Sequence, residues 1–168
     1  MARVVVLPYD AAWQTAFSEI RCEIAAALGD LAVGIEHVGS TAVPGMSAKP
    51  CIDIDVVIED GGVLPAVIER LAKIGYISEG DLGIKGREAF RYESKPHLMA
   101  HHLYVCQKTS EELFRHITFR DFLRQSPAAV LEYSRVKEDA ARRYPNDING
   151  YIECKAPCIR RLYALCGL

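Results

Sequence analysis

The chain has 168 residues, of which 50% are hydrophobic and 25% are charged. This length fits a single compact domain over residues 1–168, and the high apolar fraction excludes intrinsic disorder for the chain as a whole. The 20 lysines and arginines nearly balance the 22 aspartates and glutamates, giving a formal charge of −2. The overall charge therefore favours neither a nucleic acid nor an anionic membrane as a partner.

The N-terminal segment is apolar only as far as Leu7, before Pro8 and Asp10. Such a run is too short for a secretory signal peptide, and no stretch reaches the roughly 18–20 apolar residues of a membrane span. We therefore expect a cytoplasmic protein. In a reducing compartment the six cysteines are expected to be small buried side chains, because disulfides are rare there and the cysteine spacing does not favour zinc.

The first half of the chain predicts helices alternating with strands. Asp10 can cap a helix whose apolar residues recur at helical spacing until Gly29. A second helix is predicted from Leu64 to its end at Gly75. Three strands are predicted in the same half, over residues 35–38, 51–58 and 76–79.

The second half predicts two more strands followed by three helices. The strands cover residues 89–93 and 102–106, and they are expected to pair antiparallel because the gap between them is too short for a crossover helix. From Ser110 onward the apolar spacing is helical, with new helices beginning at Ser126-Pro127 and Asp147. Four or five strands with flanking helices and a helical C-terminal part predict an α/β domain.

A Gly-Ser turn and an Asp-x-Asp strand, separated by twelve residues, carry the clearest chemistry. Gly39 lets the backbone approach a ligand closely, and the Ser40 hydroxyl with neighbouring N–H groups can donate to a phosphate. Asp53 and Asp55 lie two apart on a strand, so both carboxylates face one side of it. Such a pair favours a cation, and Mg²⁺ takes hard oxygen ligands and shares them with substrate phosphates.

This order of turn, spacer and strand resembles the nucleotidyltransferase fold of the DNA polymerase beta type. Longer motifs resemble the GrpB family over nearly the whole chain. They are Pro8-Tyr9-Asp10, Glu36 to Gly45, Ala48 to Ile54, His101 to Val105, Arg115 to Arg124 and Tyr144 to Asp147. The resemblance implies a nucleotidyltransferase-like fold, a bacterial or similar cytoplasmic setting, and a relation to a domain sometimes fused to dephospho-coenzyme A kinase.

The residues and the resemblance together predict one site. Asp53 and Asp55 are expected to bind Mg²⁺, and His102 or Glu93 to complete the catalytic set. The expected ligand is a nucleoside triphosphate or another phosphorylated small molecule, and the expected reaction is nucleotidyl transfer. The expected phosphate- or nucleotide-binding residues are Gly39, Ser40, Thr41, Lys49, Arg87 and Arg91.

Two departures from the pattern leave a second interpretation open. Tyr104 stands where the family commonly has a histidine, and the strand around it has no acid where active enzymes of the superfamily carry a third carboxylate. That carboxylate usually activates the attacking hydroxyl. The alternative prediction is therefore a non-catalytic accessory module that binds a ligand, with a link to coenzyme A biosynthesis. The sequence indicates neither a protein partner nor an oligomeric state.

Overall fold

The computed structural model describes residues 2–168, which form one five-stranded sheet with helices on both faces. The strands are β1 (Gly34–Val38), β2 (Ile52–Ile58), β3 (Ile77–Ser78), β4 (Arg87–Arg91) and β5 (His101–Gln107). The helices are α1 (Ala12–Leu28), α2 (Leu64–Lys73), α3 (Glu111–Arg124), α4 (Pro127–Arg143) and α5 (Ile148–Leu165). The strand order is β1-β2-β5-β4-β3; β2 and β5 pair parallel, and the other neighbours pair antiparallel.

One face of the sheet forms the main hydrophobic core with α1 and α2. Ile54 and Val56 of β2 are fully buried on this face, because alternate side chains of a strand point the same way. Helix α1 buries Ile20 and Ile24 against the sheet, and α2 buries Leu71. Burial of a side chain of this size stabilises the fold by about 1.5–3 kcal/mol. The core therefore fixes which face of β2 remains for polar residues.

The opposite face of the sheet carries the Asp-x-Asp pair and is approached by α3, α4 and α5. Val57 of β2 packs there against Leu113 of α3. The three C-terminal helices share a second apolar cluster with the loop after β1, in which Met46 and Leu162 are fully buried. The helical C-terminal part is thus positioned to form one wall of any site on this face.

The fold class predicted from the sequence is confirmed, with five strands and five α-helices in the described residues. The bounds of all five strands differ from the predicted ones by one or two residues, and two of these differences have a clear local cause. Strand β4 begins at Arg87 rather than at residue 89, because Arg87 and Glu88 already pair with β5. Strand β3 has only two residues, since the chain turns at Gly80, whose φ is 75°. Within residues 2–168 no helix has the length and apolar character needed to cross a membrane.

Candidate functional site

The Gly-Ser turn lies directly against the Asp-x-Asp strand. Strand β1 ends at Val38, which pairs with Asp53 of β2, so the next residue, Gly39, passes over the Asp53 carboxylate. Gly39 has a φ of 75°, and a Cβ built on it would lie 2.4 Å from Asp53 Oδ2. Any larger residue would be strained and would displace the carboxylate. The turn continues as a short 3₁₀ helix from Ser40 to Ala42.

Asp53 is held by a histidine of the neighbouring strand. The parallel register places Asp53 opposite His102 of β5, and the His102 Nδ1 lies 2.9 Å from Asp53 Oδ1. This hydrogen bond, with a smaller contribution from Cys51, raises the pKa of His102 to about 10. The imidazole is therefore expected to be protonated at neutral pH and to act as a cation beside Asp53.

Asp55 is held by a histidine of helix α3. The carboxylate is fully buried, and its Oδ2 lies 2.6 Å from His116 Nδ1, while His116 Nε2 lies 3.0 Å from Glu112 Oε1. Burial lowers the pKa of His116, but the hydrogen bond to Asp55 and the charges of Asp55 and Glu112 outweigh it and raise the pKa above its usual value. Because each ring nitrogen of His116 faces a carboxylate, which only accepts hydrogen bonds, both ring nitrogens must carry a proton.

A first cavity, the lysine cavity, adjoins Asp53 and the Gly-Ser turn and has a volume of about 210 Å³. Lys137 of α4 is 2% exposed and donates to Ser40 Oγ at 2.8 Å. Burial, together with the nearby charge of Lys155, lowers the pKa of Lys137 to about 7. Burial and Lys49 lower the pKa of Lys155 as well. The side chains that define the lysine cavity are Ser40, Lys49, Asp53, His102, Lys137 and Lys155.

A second cavity, the tyrosine cavity, lies on the other side of Ser40 and Asp53 and has a volume of about 370 Å³. It opens between the sheet and the three C-terminal helices. The Arg87 guanidinium carbon lies 4.3 Å from the centre of the Tyr104 ring, within the range of a cation–π contact. The side chains that define the tyrosine cavity are Arg87, Tyr104, His116, Phe119, Tyr133 and Tyr163.

The aspartate pair fits a hard cation such as Mg²⁺. Asp53 and Asp55 each have one oxygen on an imidazole, and the other oxygen of Asp55, Oδ1, is buried with no hydrogen-bond partner in the described structure. A buried carboxylate oxygen without a donor is costly, and a metal ion removes that cost. Residues 2–168 contain no group of three or more histidine, cysteine, aspartate or glutamate side chains arranged around one metal position. The remaining ligands of Mg²⁺ would therefore come from phosphate oxygens and water.

The structure brings most of the predicted site residues to the two cavities, namely Gly39, Ser40, Thr41, Lys49, Asp53, Arg87 and His102. Asp55 lies directly beneath, beside His116. Arg91 and Glu93 line neither cavity. Arg91 lies 3.9 Å from both Glu79 and Glu93 at the outer end of β4, and the Glu93 side chain is 82% exposed. The Arg91 side chain is paired with these two acids rather than directed to the cavities, and Glu93 lies beyond the end of β4.

Two lysines that were not predicted line the lysine cavity: Lys137 is buried and Lys155 is partly buried. Lys137 lies on the inner face of α4 between Tyr133 and Ala140, and Lys155 lies on α5 one turn after Tyr151. A lysine at a position of an amphipathic helix where the spacing calls for an apolar residue is the signal that could have identified them.

Comparison with known proteins places the chain in a family. The sequence model described as GrpB protein matches residues 3–165. The chain is 30% identical to the UPF0157 protein YqkA of Bacillus subtilis over 94% of its length, and 35% identical to a UPF0157 protein of Pseudomonas aeruginosa over 95%. It spans 46% and 66% of the lengths of these two relatives. It is also 27% identical to a dephospho-CoA kinase of Mycolicibacterium paratuberculosis, over 96% of this chain and 46% of that one.

Two solved structures show the same fold. The conserved protein GrpB from Enterococcus faecalis superposes with a TM-score of 0.78 at 29% identity, covering 95% of this chain and 99% of that one. The Cid1 poly(U) polymerase with Mg 3′-dATP bound superposes with a TM-score of 0.55 at 12% identity, covering 89% of this chain and 49% of that one. The second likeness concerns the fold alone. The chain thus has a nucleotidyltransferase-like fold and belongs to the GrpB family.

Proposed function

We propose that this chain binds a nucleoside triphosphate, or another phosphorylated small molecule, together with Mg²⁺ and transfers its nucleotidyl group to an acceptor hydroxyl. The observation that carries the proposal is the lysine cavity. Lys49, Lys137 and Lys155 converge there beside Ser40, and none of the three forms an ion pair with a carboxylate of the described residues.

A buried cation without a counter-ion is expensive for a folded protein. Lys137 is almost wholly buried, and its contacts are the Ser40 hydroxyl and the face of Tyr133, 4.2 Å from the ring centre. Neither neutralises a positive charge, so folding alone gives no reason to bury an ammonium group there. A polyphosphate in the cavity would supply the missing negative charge. Lysine suits this task because it acts as a compact point charge with three donors.

The side chains around the cavity have distinct tasks in this proposal. Gly39 lets the backbone approach the phosphates, and Ser40 with its neighbouring N–H groups donates to them. Asp53 and Asp55 hold Mg²⁺, with His102 and His116 orienting the carboxylates from the outer shell. When bound, the metal ion polarises phosphate oxygens and stabilises the charge that develops on them.

The transfer needs no reactant other than the nucleotide donor and the acceptor hydroxyl. The oxygen of an acceptor hydroxyl forms a bond to the α-phosphorus, and the bond from that phosphorus to the bridging oxygen breaks. Pyrophosphate leaves with the electron pair, and the hydroxyl proton passes to solvent. The protonated lysines stabilise the departing negative charge. Strand β5 presents Tyr104 opposite Asp55, so no carboxylate of that strand serves as a base here.

Calorimetric titration at pH 7 with ATP, CTP, GTP and UTP, each with Mg²⁺, tests the proposal. We expect at least one of them to bind, and Asp53→Asn and Lys137→Met each to weaken binding at least tenfold. Lys85→Met is the matched control, because Lys85 is exposed and lies outside both cavities. If none of the four nucleotides binds, or if Asp53→Asn leaves the metal dependence of binding unchanged, the proposed site is wrong.

A second candidate function is ligand binding without turnover. It is favoured by the absence of an acid from β5, which runs His-His-Leu-Tyr-Val-Cys-Gln, and by relatives named dephospho-CoA kinase whose sequences this chain matches over less than half their length. Under this candidate the chain binds dephospho-coenzyme A or a nucleotide and releases no pyrophosphate. A pyrophosphate-release assay with a panel of hydroxyl acceptors separates the two: release supports transfer, and saturable binding without release supports the second candidate.

A further inference from the structure

Arg87 is a partly buried arginine whose charge the fold does not neutralise. Its side chain forms no hydrogen bond or ion pair with any residue of the described chain, and its Nε is buried without a partner. Its guanidinium carbon lies over the face of Tyr104, 4.3 Å from the ring centre. An aromatic face attracts a guanidinium but accepts none of its five N–H groups. The donors of Arg87 are therefore left for something other than the fold.

The acidic side chains on the same face as Arg87 already form ion pairs with other residues. The Asp55 carboxylate is paired with His116, and Glu112 is paired with His116 and Arg115, so each of these acids already has a cationic partner. Asp53 is bound by His102. None of these three carboxylates lies within ion-pair distance of Arg87 in the structure. An anion that reached Arg87 would thus meet a free cation rather than displace an existing ion pair.

The orphaned atom indicates what kind of anion fits. When Nε and one terminal nitrogen both donate, a guanidinium forms a two-pronged contact that matches the two oxygens of a carboxylate or of a phosphoryl group. A buried Nε without a partner is what such a contact would satisfy. A neutral ligand could fill the space but would leave the charge uncompensated.

The position of Arg87 separates this anion from the phosphates of the proposed donor. Arg87 lines the tyrosine cavity and Lys49 and Lys137 line the lysine cavity, whereas Ser40, Asp53 and Lys155 line both. Molecules in the two cavities therefore approach each other at Asp53. Transfer requires the acceptor oxygen and the donor phosphorus to be adjacent, and the shared wall is the place where that can occur.

We infer that the tyrosine cavity is the acceptor subsite and that Arg87 binds an anionic group, a carboxylate or a phosphate, of a small acceptor molecule. The inference rests on the proposed function, since it assigns the second substrate of the same site. The cavity of about 370 Å³ is at the small end of ligand pockets, which favours a small molecule. Phe119, Tyr133 and Tyr163 line it, so the body of the acceptor is expected to be apolar or ring-shaped.

Ligand-observed NMR titrations with benzoate, phenyl phosphate and the neutral analogue benzyl alcohol test the inference. Arg87→Gln removes the positive charge. Arg87→Lys keeps the charge but cannot form the two-pronged contact of a guanidinium. Lys85→Gln is the control, because Lys85 lies two residues away on the exposed loop. We expect benzoate or phenyl phosphate to bind at least tenfold more weakly to Arg87→Gln than to the unaltered protein. Arg87→Lys should fall between them, and benzyl alcohol should not respond to either change.

Benzoate and phenyl phosphate distinguish a carboxylate from a phosphate on the acceptor. The probe that binds more tightly, and whose binding depends on Arg87, carries the same anionic group as the acceptor. Lys85→Gln should leave this binding unchanged. Failure of all four nucleotides to bind would remove the proposed donor, yet Arg87-dependent binding of benzoate would still be seen. The acceptor assignment fails if neither anion binds, if the affinities are insensitive to Arg87→Gln and Arg87→Lys, or if Arg87→Gln weakens nucleotide binding as much as Lys137→Met does. Should Arg87→Gln fail to fold, Arg87→Lys alone decides the outcome.

Discussion

His101 and His102 are neighbours on β5, yet they meet opposite kinds of surroundings because their side chains point to opposite faces of the sheet. His101 is 4% exposed, its Nδ1 lies 2.7 Å from the Met99 carbonyl oxygen, and its Nε2 lies 2.7 Å from the Tyr76 hydroxyl. Its ring stacks on Tyr92 at a centroid distance of 4.5 Å. Each ring nitrogen of His101 has a partner that the fold itself supplies.

The same face also contains a buried lysine with a complete set of partners. Lys95 forms an ion pair with Glu23, and its ammonium group lies 4.5 Å from the centre of the Tyr76 ring. The second carboxylate oxygen of Glu23 lies 2.8 Å from His97 Nε2. This polar cluster of Glu23, Tyr76, Lys95, His97 and His101 therefore needs no ligand, and we interpret it as structural.

The face that carries His102 differs in what it leaves unpaired. Asp55 Oδ1 and Arg87 Nε are buried without partners, and Lys137 has a hydroxyl partner but no acid. Buried polar groups cost free energy unless they are satisfied, so a cluster that serves the fold completes itself, whereas a binding site leaves donors and acceptors for its ligand. The buried polar groups on one face of the sheet are thus satisfied by the fold, and several of those on the other face are not.

Gly39→Ala should produce the largest effect on the site face. The new methyl group would meet Asp53 Oδ2 at 2.4 Å in a backbone conformation that alanine rarely adopts, so the turn or the carboxylate must move. We expect the free energy of unfolding to fall by about 3 kcal/mol and nucleotide binding to be lost. Urea denaturation and calorimetry measure the two effects.

Gly80→Ala is the control for this change, because Gly80 has the same φ of 75° and no atom within 4 Å of a built Cβ. It shares the positive φ without the collision, and we expect a loss of about 1 kcal/mol. Equal losses for the two variants would show that backbone strain alone matters and that the approach of the turn to Asp53 does not.

Lys95→Met should have the next largest effect and should act on stability alone. The substitution leaves the Glu23 carboxylate, whose side chain is 24% exposed, with His97 as its remaining partner. Breaking a largely buried ion pair on one side is costly, and we expect a loss of about 2 kcal/mol in the free energy of unfolding at pH 7. Nucleotide affinity should not change. A variant as stable as the unaltered protein would contradict the structural role of this cluster.

The sequence predicted what strand alternation controls. Asp53 and Asp55 share a face because they are two residues apart, and the observed register puts His102 on that same face. Arg91 also fits that rule, but alternation does not specify which acids a long side chain reaches. The structure places Arg91 at the outer end of β4, beside Glu79.

The remaining parts of the site depend on tertiary packing that spacing does not encode. Lys137 reaches Ser40 across 97 residues of sequence, and His116 reaches Asp55 across 61. Those contacts require knowledge of how α3 and α4 cross the sheet. Periodicity does identify the inner face of α4, and a charged residue on that face could have been flagged as a site candidate before its partner was known.

Lys137→Met should have the smallest effect on stability and the opposite sign to Lys95→Met. The pKa of Lys137 is about 7 in the folded protein and its ordinary value is near 10.5, so between these values the unfolded chain binds more protons and stability rises with pH. Below pH 7 the ammonium is charged in both states and the full burial cost is present. Methionine removes that cost but also loses the hydrogen bond to Ser40, so we expect a gain of about 1 kcal/mol at pH 6 that turns into a loss as the pH rises towards 10.5. Urea denaturation at a series of pH values measures it, with Lys85→Met as a control expected to show no pH-dependent difference. A loss of stability at pH 6 would mean that the fold already compensates the Lys137 charge, and the distinction between the two faces of the sheet would then fail for this residue.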